Sequence, residues 1–143
     1  MQGHGRPWKK PTKHIDALLK TATVKPMVNQ IFLNPSDLQP EVVGYNDAHD
    51  ILSEAYSPLG TGKIFQVDAL RKIAARYHKS VAQIVLRWSL QHGFLPLPKS
   101  VHDDRIKENT ELFDFELSHH DMTLIDALHG EAGLATDPDT TDF

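Results

Sequence analysis

Short apolar runs alternate with helical patterns along this chain, and that alternation constrains the fold more than any other feature. His14 to Lys20 reads as a short helix with Ile15, Leu18 and Leu19 on one side. Met27 to Phe32 predicts a strand, with turn residues Asn34-Pro35-Ser36-Asp37 after it. Pro40 can open a helix running to about His49. Ile51 to Tyr56 predicts a second strand, which stops at the breaker-rich loop Ser57-Pro58-Leu59-Gly60-Thr61-Gly62. Val67, Leu70, Ile73, Ala74 and Tyr77 then recur at helical spacing. Ser80 with Gln83 makes a capping box, Val81, Ile84, Val85 and Trp88 follow on one face, and Gly93 is placed to end that helix. Phe94 to Leu97 predicts a third strand, and Asp103 or Asp104 caps a helix through Asn109. Ser118 and Asp121 form a further cap before Met122, Leu124, Ile125 and Leu128, and Gly130 closes that helix.

Strands that alternate with helices imply an α/β fold with a parallel sheet. The strands are close to continuously apolar, as parallel strands covered on both faces are. In such sheets ligands bind at the carboxyl ends of the strands. Gln30, Tyr56-Ser57 and Lys99-Ser100 fall at or just past those three ends.

The last of these ends has the clearest chemistry. A strand that hands a cation and a hydroxyl to a helix suits a phosphate, because helix N-terminal amides and the helix dipole both favour negative charge. Lys99 supplies a point charge, and Arg105 a planar fork able to grip a phosphate or stack on a base. Gly-Thr-Gly-Lys at residues 60–63 is not a P-loop.

Length and charge narrow the function classes. The 143 residues suffice for one domain with a real core. A net charge of −4 argues against nucleic acid as the main partner. With no cysteine, disulfides and thiolate chemistry are excluded, and a cytoplasmic location is expected. No apolar run approaches the roughly 20 residues that span a bilayer, so no membrane partner is expected. Nine histidines invite a metal, but the adjacent side chains of His119-His120-Asp121 diverge at a helix start, and none is assigned as a ligand. Trp88 and Tyr77 lie on apolar helical stripes and are expected in the core.

Four blocks stand out together: Val28-Asn29-Gln30-Ile31, Ala55 to Gly60, Ala82 to Trp88, and Leu97-Pro98-Lys99-Ser100 through Arg105-Ile106-Lys107-Glu108-Asn109, with Phe113 to Ser118 extending them. They resemble the C-terminal half of the aldo-keto reductase family. The resemblance runs over roughly residues 11–143 in order and at family spacing. It implies part of a (β/α)8 barrel that moves hydride between NADPH and a small carbonyl substrate. It further implies that Gln30 holds the nicotinamide carboxamide and that Tyr56 stacks on the nicotinamide ring. Ser57 and Leu59 would contact the pyrophosphate, with the loop from Gly60 to Lys63 folded over it. Lys99, Ser100 and Val101 would meet the adenosine 2′-phosphate region, with Arg105 close by on the phosphate or the adenine, and Glu108 and Asn109 would sit beside the adenine end. The residue types fit this use. A carboxamide needs both donors and acceptors, a flat ring needs an aromatic platform, and a dianion needs cations and hydroxyls. Lys99 with Arg105 favours NADP over NAD.

The family's catalytic Asp, Tyr, Lys and His are carried by the first half of its barrel, so no catalytic residue is assigned here. Residues 1–10, rich in Gly, Pro and Lys, are expected to be irregular and unlike the family; residues 11–130 form the cofactor-binding half; residues 131–143 form a loose acidic tail. The abrupt edge at about Lys10 points to a truncated, misread or alternatively started gene, or to a cloning boundary. A closed barrel takes about 250 residues and eight strands, so three strands are expected to leave an open sheet with helices outside it and an apolar inner face without a lid. Self-association, or pairing with a missing N-terminal half, is the expected consequence. The chain alone is expected to bind the dinucleotide weakly with little turnover. The rival readings are a non-catalytic interaction module and an inactive remnant.

Overall fold

The computed structural model describes residues 12–99 and 103–136. Three parallel strands, β1 (Val28–Phe32), β2 (Leu52–Tyr56) and β3 (Leu95–Pro96), form one sheet in the order β1-β2-β3. Among the described residues six α-helices flank it: α1 (Thr12–Leu19), α2 (Pro40–Ala48), α3 (Asp68–Tyr77), α4 (Val81–Gln91), α5 (Asp103–Thr110) and α6 (His119–Asp126). The sheet is open, with three strands rather than a closed barrel's eight.

Register fixes which residues share a face. Gln30 pairs with Glu54 and Phe32 with Tyr56, and Glu54 pairs in turn with Leu95. Side chains alternate across a strand, so Ile31 and Ala55 point to the helical side and are buried. The other face is open: Val28, Leu52, Tyr56, Leu95 and Leu97 are each about 40–45% exposed. The pattern of strands covered on both faces is thus met on one face only. Pro96 has no amide to donate, so the β3 ladder is short, and it is prolonged by Leu97 N–H donating to the Ala55 carbonyl at 3.0 Å.

The helical side of the sheet also carries a polar relay. Asn29 Nδ2 donates to Asn46 Oδ1 at 3.1 Å, and Asn46 Nδ2 donates to Ser53 Oγ at 3.0 Å. Asn46 and Ser53 are buried, so these bonds meet the desolvation cost of both groups.

Two helices carry a large share of the core. α3 buries Leu70, Ile73 and Ala74, spaced i, i+3, i+4, and ends where His78 turns left-handed at φ 54°. α4 begins with the capping box: Ser80 Oγ accepts from Gln83 N–H at 3.2 Å, and Gln83 Oε1 accepts from Ser80 N–H at 3.0 Å. It buries Ala82, Gln83, Ile84, Val85, Leu86, Trp88 and Ser89 against the sheet and its neighbours. Trp88 lies in the core as expected, with its Nε1 donating to Asp126 Oδ1 at 2.8 Å.

Three expectations are corrected. The last helix does not run on to Gly130: α6 stops at Asp126 with Ala127 as its C-cap, so Gly130 does not close it. The segment after β2 is not plain loop: Gly60–Gln66 is a 3-10 segment broken at Thr61 (φ 53°) and Gly62 (φ 90°). The chain from Glu131 to Thr136 is not loose. Ser36 Oγ donates to the Gly133 carbonyl at 2.5 Å and accepts from Ala132 N–H at 2.8 Å, and Asp37 Oδ2 accepts from Ala135 N–H at 2.9 Å. Residues 1–11 and 137–143, the expected irregular start and the end of the acidic tail, lie outside the described residues.

Candidate functional site

The backbone turns sharply where β2 ends. Ser57 takes φ 48°, in the left-handed region that a side chain disfavours, and Gly60 follows at φ 53°. The Ser57 carbonyl accepts from Gly60 N–H at 2.9 Å and from Asn34 Nδ2 at 3.3 Å. These bonds hold the loop in a shape that its sequence does not favour.

A cavity of about 690 Å³ opens beside this loop. Its walls come from four stretches of chain: the loop after β2, the segment after β3, and the facing ends of α4 and α5. Ser57, Leu59, Lys99, Arg105, Glu108 and Asn109 all line it. On α5, Arg105, Glu108 and Asn109 are spaced i, i+3, i+4 and so share a helix face. The height of that face relative to α4 is set by Gln83, whose Nε2 donates to the Glu108 carbonyl at 3.2 Å. One capping residue thus starts α4 and holds α5 in place.

The electrostatics are mixed. Two cations, Lys99 and Arg105, and one carboxylate, Glu108, meet hydroxyls of Ser57, Thr61 and Ser80, while Leu59, Phe65, Val81, Leu97, Pro58 and Pro98 give apolar walls. Such a surface suits a ligand with both anionic groups and flat or apolar parts.

Gln30 and Tyr56 lie apart from that cavity wall, on the uncovered face of the sheet. Gln30 is exposed on β1, and Tyr56 is 44% exposed at the end of β2. The Tyr56 ring meets Phe32 edge-on, with centroids 5.8 Å apart and planes at 67°. One ring face is thereby oriented by a neighbour, as a stacking platform requires. Burial pushes the Tyr56 phenol above its ordinary value of 10.0, which keeps it neutral. Ser100 and Val101 lie outside the described residues.

Sequence reading did not single out Phe65, Ser80 and Val81 as wall residues, whereas Thr61 and Gly62 belong to the Gly60 to Lys63 loop that the resemblance folds over the pyrophosphate. Val81 was expected on the core stripe of α4, but it is only half-buried and faces the cavity as well. The available signal was the capping box, because it puts the first turn of α4 beside the α5 segment that it braces.

The sequence matches the Aldo/keto reductase family over residues 9–129. It is 46% identical over 126 residues to the glyoxal reductase of Bacillus subtilis (strain 168), covering 88% of this chain and 46% of that protein. Among solved structures it is similar to a mutant of Gox0644 in complex with NADPH, with a TM-score of 0.87 and 33% identity over 94% of this chain and 50% of that one. A Bombyx mori aldo-keto reductase in complex with NADP gives a TM-score of 0.76 at 30% identity, over 84% of this chain and 42% of that one. The chain spans about half the length of the curated relatives it matches. Its three-strand open sheet corresponds to part of their (β/α)8 barrel, and the chain belongs to the aldo/keto reductase family.

Proposed function

We propose that this chain forms the dinucleotide-holding portion of an NADPH-dependent aldo/keto reductase, with residues 11–130 as that portion. The observation that carries the reading is the convergence of Ser57, Leu59, Lys99, Arg105, Glu108 and Asn109 on one cavity from three separate stretches of chain. The cavity volume, paired cations and apolar walls fit the adenosine and phosphate parts of a dinucleotide. Lys99, Ser100, Val101 and Arg105 hold the 2′-phosphate, Glu108 and Asn109 meet the adenine, and Ser57 and Leu59 meet the pyrophosphate. The Gln30 amide holds the nicotinamide carboxamide, and the Tyr56 ring lies under the nicotinamide. NADPH supplies the hydride when bound, and the whole protein passes it to a small carbonyl, for which the glyoxal reductase relative supports an aldehyde. No proton-donating residue is assigned within this chain, so little turnover is expected from it alone.

Titration of the folded chain with NADPH and NADH, followed by nicotinamide fluorescence, tests the reading. Saturable binding with NADPH preferred is the expected result. A folded sample that binds neither at millimolar concentration overturns it.

The open sheet face favours a second reading, an interaction module. Val28, Leu52, Leu95 and Leu97 are exposed there together. Sedimentation that shows a stable dimer in a sample unable to bind NADPH would favour it.

A further inference from the structure

The turn after β1 is more deeply buried than a surface turn should be. Asn34 and Ser36 have no exposed surface, and Asp37 is 3% exposed. Their polar atoms are satisfied in two directions. Toward the C-terminal segment, Gly130 N–H donates to the Ser36 carbonyl at 2.8 Å, Ser36 Oγ joins Ala132 and Gly133, and Asp37 Oδ2 takes Ala135 N–H. Toward the cavity, Asn34 Nδ2 donates to the Ser57 carbonyl. The two directions are joined inside the turn, where Asn34 Oδ1 accepts from Ser36 N–H at 2.9 Å. The C-terminal segment also runs close beside the loop. A Cβ built on Gly60 would stand 3.7 Å from Ala132 Cβ, and one on Gly133 would stand 4.0 Å from Lys63 Nζ.

Ser57 and Gly60 are both left-handed, and Ser57 carries a side chain. Such a loop keeps its shape only where its surroundings over-determine it. The surroundings here are Asn34 on one side and Ala132 on the other. We propose that Gly130–Ala135 is a strap that sets the Ser57–Gly62 loop, with Ser36 as its anchor and Asn34 as the positioning residue that passes the constraint to the Ser57 carbonyl. Its effect on cofactor affinity rests on the reading of that loop as the pyrophosphate contact; its effect on loop geometry does not.

Amide hydrogen exchange tests the strap without cofactor. In the wild-type chain, Ala132 and Ala135 on the strap should open together with Gly60 and Gly62 on the loop, with one shared dependence on denaturant. Ser36→Ala removes the anchor and should speed exchange at Gly60 and Gly62 about fivefold, as expected for a lost buried hydrogen bond. Asn34→Ala should do the same, and the double variant should add little, because both cut one path. Exchange within α3 and α4 should stay unchanged. Faster exchange at Ala132 and Ala135 with Gly60 and Gly62 unmoved in Ser36→Ala would overturn the proposal. If that variant fails to fold, separate opening of strap and loop in the wild type overturns it equally. NADPH titration of the same samples separates the two readings: a wild type that does not bind removes the cofactor reading, while exchange still decides the strap.

Discussion

The Tyr77 hydroxyl donates to Asp121 Oδ2 at 2.6 Å, joining the last turn of α3 to the first turn of α6. The same hydroxyl accepts from Ser118 N–H at 2.9 Å, and Arg76 pairs with Asp121 Oδ1. Asp121 is buried, so the contact couples two helices far apart in the chain through one desolvated carboxylate.

Burial pushes the Asp121 carboxyl up, but hydrogen bonds from Tyr77, Arg76 and Ser118 outweigh it and hold the group below its ordinary value of 3.8. A depressed folded value means that the linked stability is complete above pH 3.8 and is lost as pH falls from there through the folded value. Asp114 is likewise held below its ordinary value of 3.8, chiefly by its hydrogen bond from Lys79. Asp121→Ala is expected to cost about 2 kcal/mol at neutral pH and to flatten the acid limb of the stability profile. Urea unfolding between neutral and acid pH checks both.

The Tyr45 hydroxyl donates to Asp16 Oδ1 at 2.6 Å, linking α2 to α1. That bond, with smaller contributions from burial and the Asp16 charge, pushes the phenol up to about 12. The linked stability is present below the ordinary value of 10.0 and is lost as pH rises through about 12. Ultraviolet titration should show a tyrosine titrating at about 12, absent in Tyr45→Phe.

Trp88 Nε1 and His92 Nε2 both reach Asp126 Oδ1, at 2.8 and 2.7 Å. Trp88→Phe keeps an aromatic body in the core but leaves the carboxylate short of a donor. A loss of about 1–2 kcal/mol is expected in thermal or urea unfolding.

Ser80→Ala removes one arm of the capping box and is expected to cost about 1 kcal/mol. Because Gln83 also braces Glu108, exchange along α5 should rise with that along the first turn of α4. A rise confined to α4 would show that the brace is unimportant.

Lys99→Ala is expected to weaken NADPH by about tenfold, the scale of one charge-assisted contact, and NADH far less. Parallel fluorescence titrations of both cofactors check it. Equal losses would remove the 2′-phosphate role of Lys99.

Much of the fold is legible along the chain. The i, i+3, i+4 spacing of Leu70, Ile73 and Ala74, the Ser80–Gln83 box and the apolar runs at β1 and β2 are local signals, and local signals set element type. The strands, α2 and α4 begin and end within a residue or two of where those signals put them. The site was legible in parts. Lys99 and Arg105 carry a phosphate's chemistry in their side chains, whereas Phe65 and Val81 carry no such mark and become cavity walls only through packing.

The sequence by itself determined the alternation of strands and helices, the caps that start α4 and α6, and the residue types suited to a dinucleotide. Tertiary structure alone decided that Ser36 holds Gly133 across 97 residues, that Asn34 reaches Ser57, and that Leu124 faces out while Ile125 is buried. The physical reason is range. Periodicity and capping act within one or two turns of chain, whereas burial and hydrogen-bond satisfaction are properties of whichever distant segments the fold brings together.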